Sequence, residues 1–258
     1  MKKFQLDLLV KSNMQVSSEA FMLELTTQDS LPESIPGQFV QLLVNGSSKT
    51  MLRRPISIHD IDYDRNILSL LINKVGAGTA ALSLLKPGDI LNAILPLGNG
   101  FDTAIPTSVA PLLIGGGVGI APLYFLGKEL KRAGLQPTFL FGGRKKENLL
   151  RMDDFSAIGR VFSTTEDGSF GERGFVTEHS LLKDEKFDII YTCGPTPMMK
   201  AVAAFAKCSG VRCQASLEHK MACGIGACLC CVENTKEGNL CVCKEGPVFD
   251  TDNLLWQN

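Results

Sequence analysis

The sequence predicts a multi-domain chain. An antiparallel six-stranded β-barrel comes first, then an α/β doubly wound parallel sheet of about five strands, then a small Cys-rich domain. Three observations carry this. Residues 3 to 100 hold short period-two or continuous apolar runs; after Pro106 strand-like and helix-like segments alternate; and of nine cysteines none precedes Cys193, while six fall between Cys223 and Cys243. The boundaries are expected at 1–102, 103–213 and 214–258.

The barrel strands are FQLDLLV, AFMLELTT, QFVQLLV, PISIHDI, ILSLLINKV and DILNAILPL, separated by turn pairs such as Pro36-Gly37 and Pro87-Gly88. Residues 79–86 read as a short helix between the last two strands. Beyond Pro106 the parallel strands are VAPLLIG, PTFLFGG, RVFSTTE, FDIIYTCG and VRCQASLE. Between them IAPLYFLGKELKRAG, KKENLLRMDDF, FVTEHSLLKD and PMMKAVAAFAKCSG carry the crossovers, as parallel pairing requires. From about Gln214 onward neither period holds.

With 26 basic and 27 acidic residues the net charge is −1, which argues against nucleic acid, since neutralising a phosphate backbone takes a surplus of Lys and Arg. The clustered thiols read as metal ligation in a reducing compartment rather than a disulfide framework, so the cytoplasm is the expected location. The N-terminal apolar run is short and broken by Asp7, unlike a signal peptide. Residues 103–127 carry no charge, but three prolines and the run GGGVG make a strand, a turn and a helix start a better reading than a membrane span.

Cys223, Cys228 and Cys231 form C-x4-C-x2-C, the spacing of plant-type ferredoxins that hold a [2Fe-2S] cluster. Gly224 and Gly226 let the loop turn tightly so that three thiolates converge. On spacing alone the fourth ligand is Cys241 or Cys243. The rival reading is a zinc site, although structural zinc favours two separated C-x2–4-C knuckles.

Gly115, Gly116, Gly117 and Gly119, in GGGVGIAP, follow a predicted strand and open a predicted helix, the context in which glycines admit a pyrophosphate to a helix N-terminus. Ile120 replaces the third glycine of the dinucleotide fingerprint, and the second strand ends FGGR rather than in an acid. A tight strand-to-helix turn without ligand is the alternative. Glu166 and Asp167 suit ribose hydroxyls and repel a 2′-phosphate, favouring NAD over NADP, unless they are simply solvated. Cys193, Gly194 and Pro195 end another strand; Cys193 is either a nicotinamide-side thiol or a small apolar residue at a strand end. In the barrel, Arg54-Pro55-Ile56-Ser57 and the GAGT of residues 76–79 offer a cation, a strand edge and a helix start suited to a flavin dinucleotide, or else a surface pair and a Thr-capped turn.

The order R-P-x-S, G-x-G-T, GGGVGIAP, CGP resembles the ferredoxin–NADP reductase superfamily over residues 3–210. With ACGIGACLCC and CKEGPVF added, the whole chain resembles the electron-transfer subunits of two-subunit, NAD-dependent dihydroorotate dehydrogenases. The resemblance implies FAD against Arg54, Pro55, Ile56 and Ser57, against Leu71, Ile72 and Asn73, and against Gly78 and Thr79. It implies cluster ligands Cys223, Cys228, Cys231 and Cys243, the last by its place in VCKEGPVF. It also implies a partner, an FMN-containing catalytic subunit, in a heterotetramer of two plus two, with electrons passing through the cluster and FAD to NAD. No catalytic base is then expected here, and His59, His179 and His219 each read as a structural or surface histidine rather than a proton-transfer group. The rivals are a diaphorase subunit of another oxidoreductase such as a hydrogenase, and a zinc-bearing nucleotide sensor without catalysis.

Overall fold

The computed structural model describes residues 2–44 and 50–256. Strands β1 (Phe4–Gln15), β2 (Ala20–Thr26), β3 (Phe39–Leu42), β4 (Arg54–Ser57), β5 (Asp60–Asp62) and β6 (Ile67–Asn73), helix α1 (Ala77–Leu82) and strand β7 (Ile90–Leu97) build the first unit. Its sheet is antiparallel, in the order β4-β3-β7-β1-β2-β6-β5. Among the described residues it thus has seven strands rather than the six expected, because PISIHDI divides. Ile58 N–H still donates to Gln38 O at 3.0 Å, whereas His59 N–H donates to Ser69 O at 3.0 Å. The chain leaves one edge of the sheet and joins the other within two residues, which rolls the sheet up around Leu8, Leu23, Val40, Leu42, Leu68 and Leu91. The short helix lies two residues earlier than expected and ends at Leu82.

The second unit runs β8 (Pro111–Gly116), α2 (Ala121–Arg132), β9 (Thr138–Gly143), α3 (Met152–Ser156), β10 (Arg160–Thr165), β11 (Glu172–Arg173), α4 (Leu181–Asp184), β12 (Ile189–Cys193), α5 (Thr196–Cys208) and β13 (Arg212–Ser216). The order β11-β10-β9-β8-β12-β13-β16 contains the five expected parallel strands, a two-residue parallel strand at one edge, and β16 (Val248–Asp250) added antiparallel at the other. All six β8 residues are buried, as befits a strand covered on both faces. Leu113 packs with Leu123, Leu126 and Leu130 of α2, while Leu112 and Ile114 pack with Val202 and Ala206 of α5. That alternation is the double winding. Two expected helices are short: KKENLLRMDDF gives a 3₁₀ turn and the five-residue α3, and FVTEHSLLKD a 3₁₀ turn and the four-residue α4.

The C-terminal stretch contains a hairpin, β14 (Val232–Thr235) with β15 (Gly238–Cys241), that the sequence pattern did not announce. Its core gathers Phe39 and Leu97 of the barrel, Met199 and Ala215 of the second unit, and Cys231, Cys241, Val242 and Cys243. Arg212 ties the units further, reaching Asp102 at 2.8 Å and Asp250 at 3.0 Å. Among the described residues no helix is long and apolar enough to cross a membrane.

Candidate functional site

An open cleft of about 300 Å³ lies where the three units meet. Its walls are Phe39, Arg54, Pro55, Ile56 and Ser57 from one side of the barrel, Leu71, Ile72, Asn73, Val75 and Thr79 from the other, Val118 and Ala121 at the start of α2, and Leu217, Glu218, His219, Met221 and Pro247. Of the residues expected against a flavin, Gly78 alone is not part of the lining. Its role is clearance: a Cβ at Gly78 would collide with the Arg54 guanidinium, which instead lies over α1 and donates to Leu52 O at 2.6 Å. The Thr79 hydroxyl is engaged locally, accepting from Val75 N–H at 3.0 Å and Gly76 N–H at 3.3 Å, so it fixes the start of α1. Sequence reasoning did not assign Phe39, Glu218, His219, Met221 or Pro247, because only folding brings these segments to the barrel edge. Burial raises the Glu218 carboxyl above its ordinary range. His219 Nε2 lies 2.7 Å from Glu233 Oε2 on β14.

A second cleft, of about 570 Å³, opens at the carboxyl ends of the parallel strands. Gly116, Gly117, Gly142, Gly143, Arg144, Thr164, Glu166, Phe175, Pro195 and Met198 line it, with Glu19 reaching over from the barrel. Gly117, at φ +56°, has open space where a side chain would stand. Gly115 and Gly119 lie behind the cleft and do packing work. A Cβ at Gly119 would strike the backbone of Cys193 and Gly194, and one at Gly115 would stand 2.8 Å from Ile120 Cγ2. Ile120 therefore takes the third fingerprint position because Gly115 makes room for it. The Thr164 hydroxyl is buried without a partner among the described residues, a feature that suits a polar ligand in this cleft. Cys193 is 2% exposed and lines neither cleft; burial, and to a lesser degree the charge of Glu218, pushes its thiol far up.

Two residues beyond Met221 the cysteine loop begins. Cys223 Sγ accepts from Ile225 N–H at 3.5 Å and Ala227 N–H at 3.3 Å, Cys243 Sγ from Gly226 N–H at 3.1 Å, and Cys231 Sγ from Cys243 N–H at 3.4 Å. Burial opposes ionisation of Cys223, but the amides of Ile225, Cys228 and Ala227 and the Cys228 thiol draw it down to about 6. Burial, with the neighbouring Cys231, pushes Cys243 up to about 12, so a metal must displace its proton. The side-chain contacts pair Cys223 with Cys228 and Cys231 with Cys243. Among the described residues no three His, Cys, Asp or Glu side chains converge as one metal ion requires. Two thiol pairs are the donor set of a binuclear core in which each iron takes two thiolates. Cys241 instead faces Val232 across the hairpin, its N–H held by Glu245 at 2.8 Å, and the exposed Cys230 thiol donates to Lys220 O at 3.6 Å.

His59 and His179 are buried and engaged. His59 Nδ1 donates to Ala121 O at 2.9 Å and its ring stacks on Tyr124 at 4.8 Å, while His179 Nδ1 accepts from Leu181 N–H at 3.0 Å.

Comparison with known proteins agrees with this layout. Residues 218–255 match the family model of the iron–sulfur cluster binding domain of dihydroorotate dehydrogenase B, and residues 113–204 that of the oxidoreductase NAD-binding domain. The chain is 40% identical over 251 residues to the dihydroorotate dehydrogenase B (NAD(+)) electron transfer subunit of Caldanaerobacter subterraneus subsp. tengcongensis, covering 96% of this chain and 97% of that one. It is 35% identical over 250 residues to the protein of the same name from Fusobacterium nucleatum, covering 94% and 95%. Among solved structures, a chain of an NADH-dependent reduced ferredoxin-NADP oxidoreductase studied for flavin-based electron bifurcation superposes with a TM-score of 0.87 at 33% identity, covering 96% of this chain and 90% of that one. An Amycolatopsis cytochrome P450 reductase shares the fold, with a TM-score of 0.67 at 24% identity over 80% of this chain and 66% of its own.

Proposed function

The chain belongs to the family of dihydroorotate dehydrogenase B electron transfer subunits, and from that premise we propose that it carries electrons from dihydroorotate oxidation in a flavin-bearing partner to NAD+. The route is a 2Fe–2S cluster and then FAD. The observation that carries this reading is one of connectivity. Leu217, Glu218, His219 and Met221 wall the first cleft and lead directly to Cys223, and Pro247, on the same wall, follows Cys243 by four residues. Both ends of the cysteine segment are therefore built into the flavin cleft.

When bound, the flavin supplies the exchange between a one-electron cluster and a nicotinamide that takes a two-electron hydride. Arg54 would offer a cation to the pyrophosphate, and the strand edges around Ser57 and Asn73 would hold the ring. Cys223, Cys228, Cys231 and Cys243 ligate the cluster, with loop amides supporting their sulfurs. In the second cleft Gly116, Gly117 and Pro195 admit the dinucleotide backbone, and Glu166 disfavours a 2′-phosphate. Arg144, from the neighbouring strand end, shares that cleft and limits the bias. No proton-transferring histidine enters this scheme, since dihydroorotate is oxidised in the partner. The assembly is a heterotetramer with an FMN-containing catalytic subunit, working in the cytoplasm.

The likeness to the bifurcating oxidoreductase favours a second reading, the same relay serving a different electron donor. Anaerobic NADH titration of the purified chain tests the relay: flavin bleaching together with the EPR signal of a reduced diiron cluster is expected, and colourless, zinc-loaded protein overturns it. Copurification with a dihydroorotate-oxidising subunit separates the two donors.

A further inference from the structure

Gln41 stands out among the buried polar residues. On β3 the side chains alternate: Val40 and Leu42 point into the barrel core, whereas Phe39 points outward and packs with Cys231, Cys241 and Cys243. Gln41 shares the outward face. It is 0% exposed, and neither Nε2 nor Oε1 has a hydrogen-bond partner among the described residues. Its side chain rests on the cysteine loop. Gly224, at φ +70°, lies so close that a Cβ there would be 2.6 Å from Gln41 Nε2 and 2.7 Å from Cγ. Across the strand pair Gln41 faces Pro55, which walls the flavin cleft. The amide thus sits between the cluster loop and the flavin strand.

A buried amide with no partner costs stability that an apolar side chain of similar volume would not. The loop explains what the amide can bond. Its own N–H groups at Ile225, Gly226 and Ala227 already donate to cysteine sulfurs and are not free for Oε1, while sulfur, which can accept more than one such bond, is the acceptor this loop offers and Nε2 is a donor. We propose that Gln41 donates a hydrogen bond to the sulfur of the cluster and thereby sets the cluster's reduction potential. The inference rests on the cluster reading above. A donor of this kind stabilises the negative charge added on reduction, so it raises the potential and eases acceptance of each electron.

The test is an EPR-monitored redox titration of the holoprotein and its Gln41→Met variant, which keeps the volume and removes the donor. The variant is expected to show about a tenfold less favourable reduction of the cluster, which is about 59 mV for a one-electron couple, with iron, acid-labile sulfide and the FAD potential unchanged. An unaltered cluster potential overturns the proposal. Should the variant fail to hold its cluster, the wild-type protein decides. With ¹⁵N in its glutamine side-chain amides, the reduced cluster shows a weak ¹⁵N coupling in pulsed EPR if the bond exists; no coupling overturns it. Wild-type protein without iron and sulfide would instead sink the electron-transfer reading itself.

Discussion

The barrel meets its two neighbours across interfaces of opposite polar character. Toward the nucleotide-binding unit its buried and half-buried polar groups find protein partners: His59 on Ala121 O, Asp60 on Lys128 Nζ at 2.7 Å, and aromatic packing of His59, Tyr124 and Phe155 between them. Toward the cysteine-rich unit Gln41 has none among the described residues. Around His59 and Asp60 the first interface closes with protein atoms alone, as a rigid joint needs. The second leaves a buried amide without a protein partner among the described residues, the opening for the cluster bond proposed above.

The largest expected effect breaks the second interface. Cys231→Ser should abolish nearly all iron binding and the visible absorbance of the cluster, while Cys208→Ser, an exposed thiol at the end of α5, leaves both intact. Iron analysis of the two variants decides, and iron retained in the first would remove Cys231 from the ligand set.

At the first interface His59 gives a pH dependence of defined sign. Burial, aided by the charges of Arg151 and Lys128 and opposed by the Ala121 bond, pulls its pKa down to about 4. The unfolded chain takes up that proton near pH 6.5 and the folded chain only near 4. The neutral ring's contribution is therefore fully present above pH 6.5 and shrinks as pH falls toward 4, by about 3 kcal/mol in all. Asp60, raised by burial yet held by Lys128, and the more distant Asp154 face the same joint. Urea unfolding at pH 7.5 and pH 5 should show a steeper loss for wild type than for His59→Gln; parallel slopes would assign the acid sensitivity elsewhere.

A smaller effect follows from the ion pair. Lys128→Met leaves the half-buried Asp60 carboxylate uncompensated and should cost about 1–3 kcal/mol at neutral pH, and less as the pH is lowered and Asp60, whose carboxyl burial raises above its ordinary range, takes up a proton. Smallest is Cys193→Ala. A thiol buried behind both clefts should leave NADH-to-flavin hydride transfer within about twofold of wild type, and a tenfold loss in stopped-flow traces would put it at the nicotinamide.

Much of the architecture was legible in local pattern. Period-two runs marked the barrel strands, the switch to alternation marked the parallel sheet, and C-x4-C-x2-C pointed to the cluster loop. The division of PISIHDI was not legible, since Ile58 and His59 change strand partners and a partner is a tertiary fact. Nor was β16, which returns antiparallel to β13 from more than thirty residues away. Glu218 and His219 lacked any motif; their place in the cleft comes from the course of the chain after β13.

By itself the sequence determined the main barrel strands and the five parallel strands, which loops are glycine-rich, and which thiols are close enough along the chain to share a metal centre. Those properties depend on neighbours within a few residues, through side-chain alternation, backbone freedom and ligand spacing. Only the tertiary structure decided that the cysteine loop rests on β3, that the segment leading to it walls the first cleft, and that one amide among eight glutamines lies buried without a described partner between the two. Such facts depend on residues nearly two hundred positions apart meeting, and no local periodicity encodes a meeting of that kind.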